Sequence, residues 1–115
     1  MVWKIEFYKT SMGNSPLQEF LDNLPGDVKE DMAAVLTLLK ERGTDLLLPH
    51  AKPVDKKIWE LRINSKNMIH RILYFAHKNR TMVLLHGFTK KTQKLPHKEI
   101  ELVYKRMGDY LRRVK

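Results

Sequence analysis

The sequence contains no cysteine. That excludes a disulfide scaffold, thiol catalysis and any zinc site built on thiolates, and it leads us to expect a reducing cytoplasm. Glycine and proline are scarce, five of each in 115 residues, and neither a Gly-rich phosphate loop nor a low-complexity segment is formed from them. Long apolar runs are missing too. Stretches such as Met82 to Leu85 fall far short of the roughly 20 residues that cross a bilayer, so no membrane partner is expected. The opening Met-Val-Trp-Lys-Ile-Glu alternates with charge and lacks an apolar signal core, which argues against export. No His-x-x-x-His pair or Asp/Glu cluster occurs, and no metal or other cofactor is expected.

What is present is the composition of one soluble domain, spanning residues 1–115, with 43% apolar and 30% charged residues. A chain this long buries about two-thirds of its unfolded surface, enough for a single core. The net charge of +9 is unevenly placed. Residues 1–54 carry 6 basic and 8 acidic side chains, whereas residues 55–115 carry 16 and 5. Four of the five histidines (His70, His77, His86 and His97) share that cationic half. One strongly basic half points to a polyanionic partner, nucleic acid before all others.

Val2 to Tyr8 alternates in polarity and reads as a strand. Ser15-Pro16-Leu17-Gln18 has the capping-box arrangement and starts a short helix reaching about Asn23, stopped by Pro25-Gly26. Asp27 with Glu30 repeats the start signal, and Val28, Met32, Val35, Leu36 and Leu39 trace one helical stripe that ends at Gly43. The two helices should form a hairpin. Residues 44–57, with Pro49 and Pro53, read as a connecting loop ending in Lys56-Lys57. Three strand-like runs follow, about Ile58–Ile63, Met68–Ala76 and Thr81–Phe88, separated by polar turns that predict an antiparallel meander. Pro96 then opens a last helix with Ile100, Val103, Tyr104, Met107 and Leu111 on one face and Arg112-Arg113 and Lys115 at its end. The expected fold class is α+β: an antiparallel sheet with an N-terminal helical hairpin and a C-terminal helix.

Strand alternation places Glu60 and Arg62 on one face of the first meander strand and Trp59, Leu61 and Ile63 on the other. On the next strand Arg71 falls on the same face as Ile69, Leu73 and Phe75. A mid-strand arginine among apolar neighbours needs a charged partner or an anionic ligand. One reading is a cross-strand salt bridge from Glu60 to Arg71 or Arg62 on a solvated face. The other is a phosphate-binding hollow completed by Lys90-Lys91-Thr92-Gln93-Lys94 after the last strand. His86, inside an apolar strand, reads as a core or structural residue. Gly87 beside it marks a bulge or a close backbone approach.

Three blocks, Ile58-Trp59-Glu60-Leu61-Arg62-Ile63, Arg71-Ile72-Leu73-Tyr74-Phe75 and Leu85-His86-Gly87-Phe88-Thr89-Lys90-Lys91-Thr92-Gln93-Lys94-Leu95-Pro96 with Glu99-Ile100, carry a resemblance. In this order the chain resembles the phage-derived Gp49-like/HigB-like group of the RelE superfamily, the toxins of bacterial type II toxin–antitoxin systems. The resemblance implies a RelE-like microbial ribonuclease fold and a metal-independent endoribonuclease that cleaves mRNA, commonly at the ribosome. The RNA 2′-hydroxyl would attack the neighbouring phosphorus, which needs a base, cations around the phosphorane and an acid. It further implies a cognate helix-turn-helix antitoxin as partner. Carried over residue by residue, Arg71 matches a strand arginine on the scissile phosphate, and Arg62 and Lys91 match basic positions around it. Glu60 would be base or orienter of Arg62, and His97 the acid. Lys56, Lys57, Lys90 and Lys94 would contact the RNA backbone. A gyrase-inhibiting relative of the same fold (ParE-like), or a basic nucleic-acid-binding module without catalysis, are the alternatives.

Overall fold

The computed structural model describes residues 2–114; Met1 and Lys115, the latter part of the basic C-terminal end, lie outside it. Over these residues the chain runs β1 (Lys4–Phe7), α1 (Pro16–Asp22), α2 (Gly26–Arg42), a 3-10 turn (Gly43–Asp45), β2 (Ala51–Asp55), β3 (Ile58–Ser65), β4 (Met68–His77), β5 (Thr81–Lys90) and α3 (His97–Arg113). The expected α+β class is observed. The strands form one sheet in the order β1-β5-β4-β3-β2.

Local chemistry accounts for most boundaries. The Ser15 hydroxyl accepts from the Gln18 amide at 3.2 Å, and Pro16 occupies the first helical position of α1. In α2 the side chains of Val28, Met32, Val35 and Leu39 are buried, and Gly43 ends the helix at φ +55°, where a Cβ would also collide with the Trp3 indole. In α3, Val103 and Tyr110 are buried, whereas Leu111, expected on the apolar stripe, is exposed. The stripe therefore lies slightly out of the phase read from the sequence.

Two features depart from expectation. Residues 44–57 are not all loop, because Ala51–Asp55 pairs antiparallel with β3. Pro53 hides this strand from a propensity reading, but β2 is an edge strand, where a missing N–H is tolerated, and the register shifts at Pro53/Asp55. The sheet is also not wholly antiparallel: β1 lies parallel to β5. The chain leaves β1 through the helical hairpin before re-entering the sheet, and such a crossover permits the parallel pairing.

Two apolar layers sandwich the sheet. The helical hairpin packs Leu17, Val28, Met32 and Leu39 onto Leu61, Ile72, Tyr74 and Leu84. On the opposite face Val103 and Tyr110 of α3 meet Ile58, Leu73, Phe75, Val83 and Leu85. Because β4 and β5 are covered on both sides, they read as continuous apolar runs. A bulge interrupts their pairing: Leu73 opposes His86 and Tyr74 opposes Leu84, leaving Leu85 as the extra residue. Leu85 and His86 consequently both reach the α3 side. Gly87 then faces the hairpin, where a Cβ would sit 2.3 Å from the Phe20 ring. Gly87→Ala should therefore destabilise the fold by about 1–3 kcal/mol, read from the denaturant midpoint, because ring and helix must move to admit one methyl. An unchanged midpoint would show that α1 yields freely.

Candidate active site

The α3-side face of the sheet holds the residues of interest. In the β3–β4 register Arg62 lies directly opposite Arg71, and Glu60 opposite Leu73. Two arginines face to face on one sheet surface repel each other. Glu60 offsets this by ion-pairing with both, at 2.9 Å to Arg71 Nε and 3.6 Å to Arg62 Nη1. Both salt bridges considered from the sequence thus exist, but beneath the surface rather than on a solvated face: Glu60 and Arg71 are each only 1% exposed. Burial pushes the Arg71 pKa below its ordinary value, the Glu60 carboxylate opposes that shift, and the Arg62 charge reinforces it.

The segment after β5 covers these guanidinium groups. Arg71 Nη2 donates to the main-chain carbonyls of Thr92 (2.9 Å) and Gln93 (2.8 Å), and Arg62 Nη2 donates to Gln93 Oε1 at 2.8 Å. Arg71 Nη1 and Arg62 Nε, both buried, have no hydrogen-bond partner among the described residues. The Arg71 guanidinium also lies 5.7 Å from the centroid of the Phe88 ring, on which His86 stacks at 5.3 Å.

His86 is locked from two sides. Its Nε2 lies 2.7 Å from Glu99 Oε1, and its Nδ1 3.3 Å from Arg106 Nη1, which also donates to the Leu85 carbonyl at 2.8 Å. With Glu99 accepting and Arg106 donating, the neutral ring carries its proton on Nε2. Burial lowers the His86 pKa, against the pull of Glu99, and burial lowers that of His70 as well. As pH falls past about 6.5 the unfolded chain takes up these protons before the folded one does. Stability should be fully present above that pH and decline as the pH falls below it, with His86→Gln flattening part of the slope. Melting temperatures recorded above and below that pH check this, and a flat or rising wild-type profile as the pH falls would refute it.

The sequence-derived site residues divide into groups. Glu60, Arg62 and Arg71 come together, and the segment holding Lys91 lies over them. Lys91 borders an open cleft of about 570 Å³ with Asn64, Lys66, Asn67, Met68 and Gln93. Lys90 ends β5 opposite Ile69, and Lys94 follows in the same exposed stretch. Lys56 and Lys57 lie elsewhere, before the first residue of β3, whereas the cleft lies at its last residues. Eight extended residues separate those ends by roughly 23 Å, so the four lysines do not form one patch. His97 is not joined to the arginines either. Its side chain is 86% exposed, and its ring pairs with Glu101 one turn along α3 at 2.7 Å. Sequence reasoning missed the roles of Gln93, Glu99 and Arg106. The seven-residue spacing of Glu99 and Arg106, which sets them on one helix face, was the available signal.

The model of the phage-derived Gp49-like protein family matches residues 19–108, a span containing every residue of this site. The chain belongs to that family. No curated protein matches it. Among the described residues no helix is long and apolar enough to cross a membrane.

Proposed function

We propose that this protein is the toxin of a bacterial type II toxin–antitoxin pair, acting in the cytoplasm as an endoribonuclease on mRNA, with the ribosome as the place of cleavage. The observation that carries this reading is the Arg62–Glu60–Arg71 cluster on one sheet face, roofed by the segment that holds Lys91. Family membership supports it, as does the +9 charge concentrated in the half that builds the site.

In the proposed reaction the 2′-oxygen forms a bond to the adjacent phosphorus while the bond to the 5′-oxygen breaks. A proton leaves the 2′-hydroxyl and another reaches the departing oxygen, giving a 2′,3′-cyclic phosphate and a 5′-hydroxyl. Arg62, Arg71 and Lys91 hold the charge that develops on the phosphorane oxygens. Held in ion pairs with two guanidinium groups, Glu60 serves as the orienter of Arg62, the second of the roles the resemblance allowed, and of Arg71 as well. Proton transfer falls to groups that solvent and RNA reach, with His97 as the acid once bound RNA draws its ring from Glu101. Lys90 and Lys94 contact RNA near the cleft, and Lys56-Lys57 contact it further along. A helix-turn-helix antitoxin is the proposed restraining partner.

Primer extension on cellular mRNA after induction tests the reading. New 5′ ends within translated codons, absent with Arg62→Gln, are expected. Intact mRNA with double-strand DNA damage would instead assign the protein to the gyrase-inhibiting class.

A further inference from the structure

A buried guanidinium with a second, largely covered one beside it, as Arg71 and Arg62 stand here, is usually matched by carboxylates or an anion. Here one carboxylate serves both, and the remaining acceptors are neutral. They come from two consecutive residues: the Thr92 carbonyl and the Gln93 carbonyl on Arg71, and the Gln93 side-chain oxygen on Arg62. These dipoles leave Arg71 Nη1 and Arg62 Nε unused. The roof is also lightly held. Besides the bonds from the two arginines, the hydrogen bond within Thr92–Lys94 is internal, from the Lys94 amide to Thr92 Oγ1 at 3.2 Å. The outer surface of Thr92 and Gln93 is exposed, while Leu95 packs on the α3-side core and anchors the far end.

We infer that Thr92 and Gln93 form an internal stand-in for the RNA phosphodiester, three neutral oxygens occupying the donors that the non-bridging phosphate oxygens take when this segment swings aside. The inference rests on the reading that Arg62 and Arg71 bind RNA phosphate, and it adds that the resting site is self-occupied. The exchange is favourable because a guanidinium bonds an anionic oxygen more strongly than a carbonyl, and because a phosphate also reaches donors the carbonyls leave idle. Lys91, at the edge of the same segment, draws the phosphate in. Gln93 is the latch: one residue caps both arginines.

The test is affinity for a short 2′-O-methyl RNA oligonucleotide, which lacks the attacking hydroxyl and so reports binding alone. Gln93→Ala deletes the cap on Arg62 and should bind about 3- to 10-fold tighter than wild type, since one competing hydrogen bond is gone. Gln93→Glu supplies a charged cap and should bind more weakly. Gln93 is exposed, so both variants should fold, and thermal denaturation verifies that. If Gln93→Ala binds equally or more weakly while Arg62→Gln loses affinity, the self-occupied site is wrong and the phosphate site stands. If Arg62→Gln binds as tightly as wild type, the phosphate site itself is wrong.

Discussion

Arg71→Met should cost about 3–5 kcal/mol of stability, and Glu60→Leu added to it should restore most of the loss. The single variant leaves the Glu60 carboxylate buried at 1% exposure, with Arg62 at 3.6 Å as its remaining counter-charge. A buried carboxylate left with that one long contact costs far more than the pair contributed. The double variant replaces the ion pair by apolar groups of similar size between Ile58, Leu73 and Phe88, where they can pack. Small domains have only about 5–15 kcal/mol of stability in total, so the single change should visibly populate unfolded chains at 37 °C. Denaturant unfolding of the two single variants and the double gives the coupling directly. Strictly additive losses would mean that Glu60 and Arg71 do not depend on each other. The restored double variant should still fail to cleave RNA, which would separate the structural part of Arg71 from the phosphate binding proposed for it.

Arg62→Gln should leave the denaturant midpoint nearly unchanged while lowering the cleavage rate about 10²–10³-fold. Arg62 retains access to solvent, its bridge to Glu60 is long, and its other partner is the exposed Gln93. Its removal therefore costs the fold little and, in the proposed reaction, the phosphorane one charged donor. Single-turnover rates on a cleavable mRNA measure this, and a loss below tenfold would move the chemistry away from the arginine pair.

Much of this site was legible before any coordinates. Strand alternation placed Glu60 and Arg62 on one face and marked Arg71 as a cation needing a partner, and each pairing considered is present. The helical hairpin and the three-stranded meander followed from caps, periodicity and turns. What stayed hidden has physical causes. β2 was masked by Pro53, which an edge strand tolerates and a propensity does not foresee. The parallel seat of β1 depends on where the crossover returns, which no local pattern encodes. The roof over Arg71 is made by main-chain carbonyls, and a carbonyl has the same signature at every residue. His97, singled out for its place beyond the lysine loop, also pairs with Glu101 one helical turn on, a contact that needs the helix register to be seen. The bulge that turns His86 toward α3 was hinted at only by Gly87.

The chemistry of the cut ends decides whether the arginine pair serves a 2′-hydroxyl attack. A ribosome-bound mRNA is offered in two forms, all-ribose and with a single 2′-deoxynucleotide 5′ to the cleaved bond. Wild type should cut the first form, leaving a 5′-hydroxyl and a 2′,3′-cyclic phosphate, and spare the second, and Arg62→Gln should lose the cut. Cleavage of the deoxy form, 5′-phosphate ends, or an undiminished Arg62→Gln variant would contradict this chemistry.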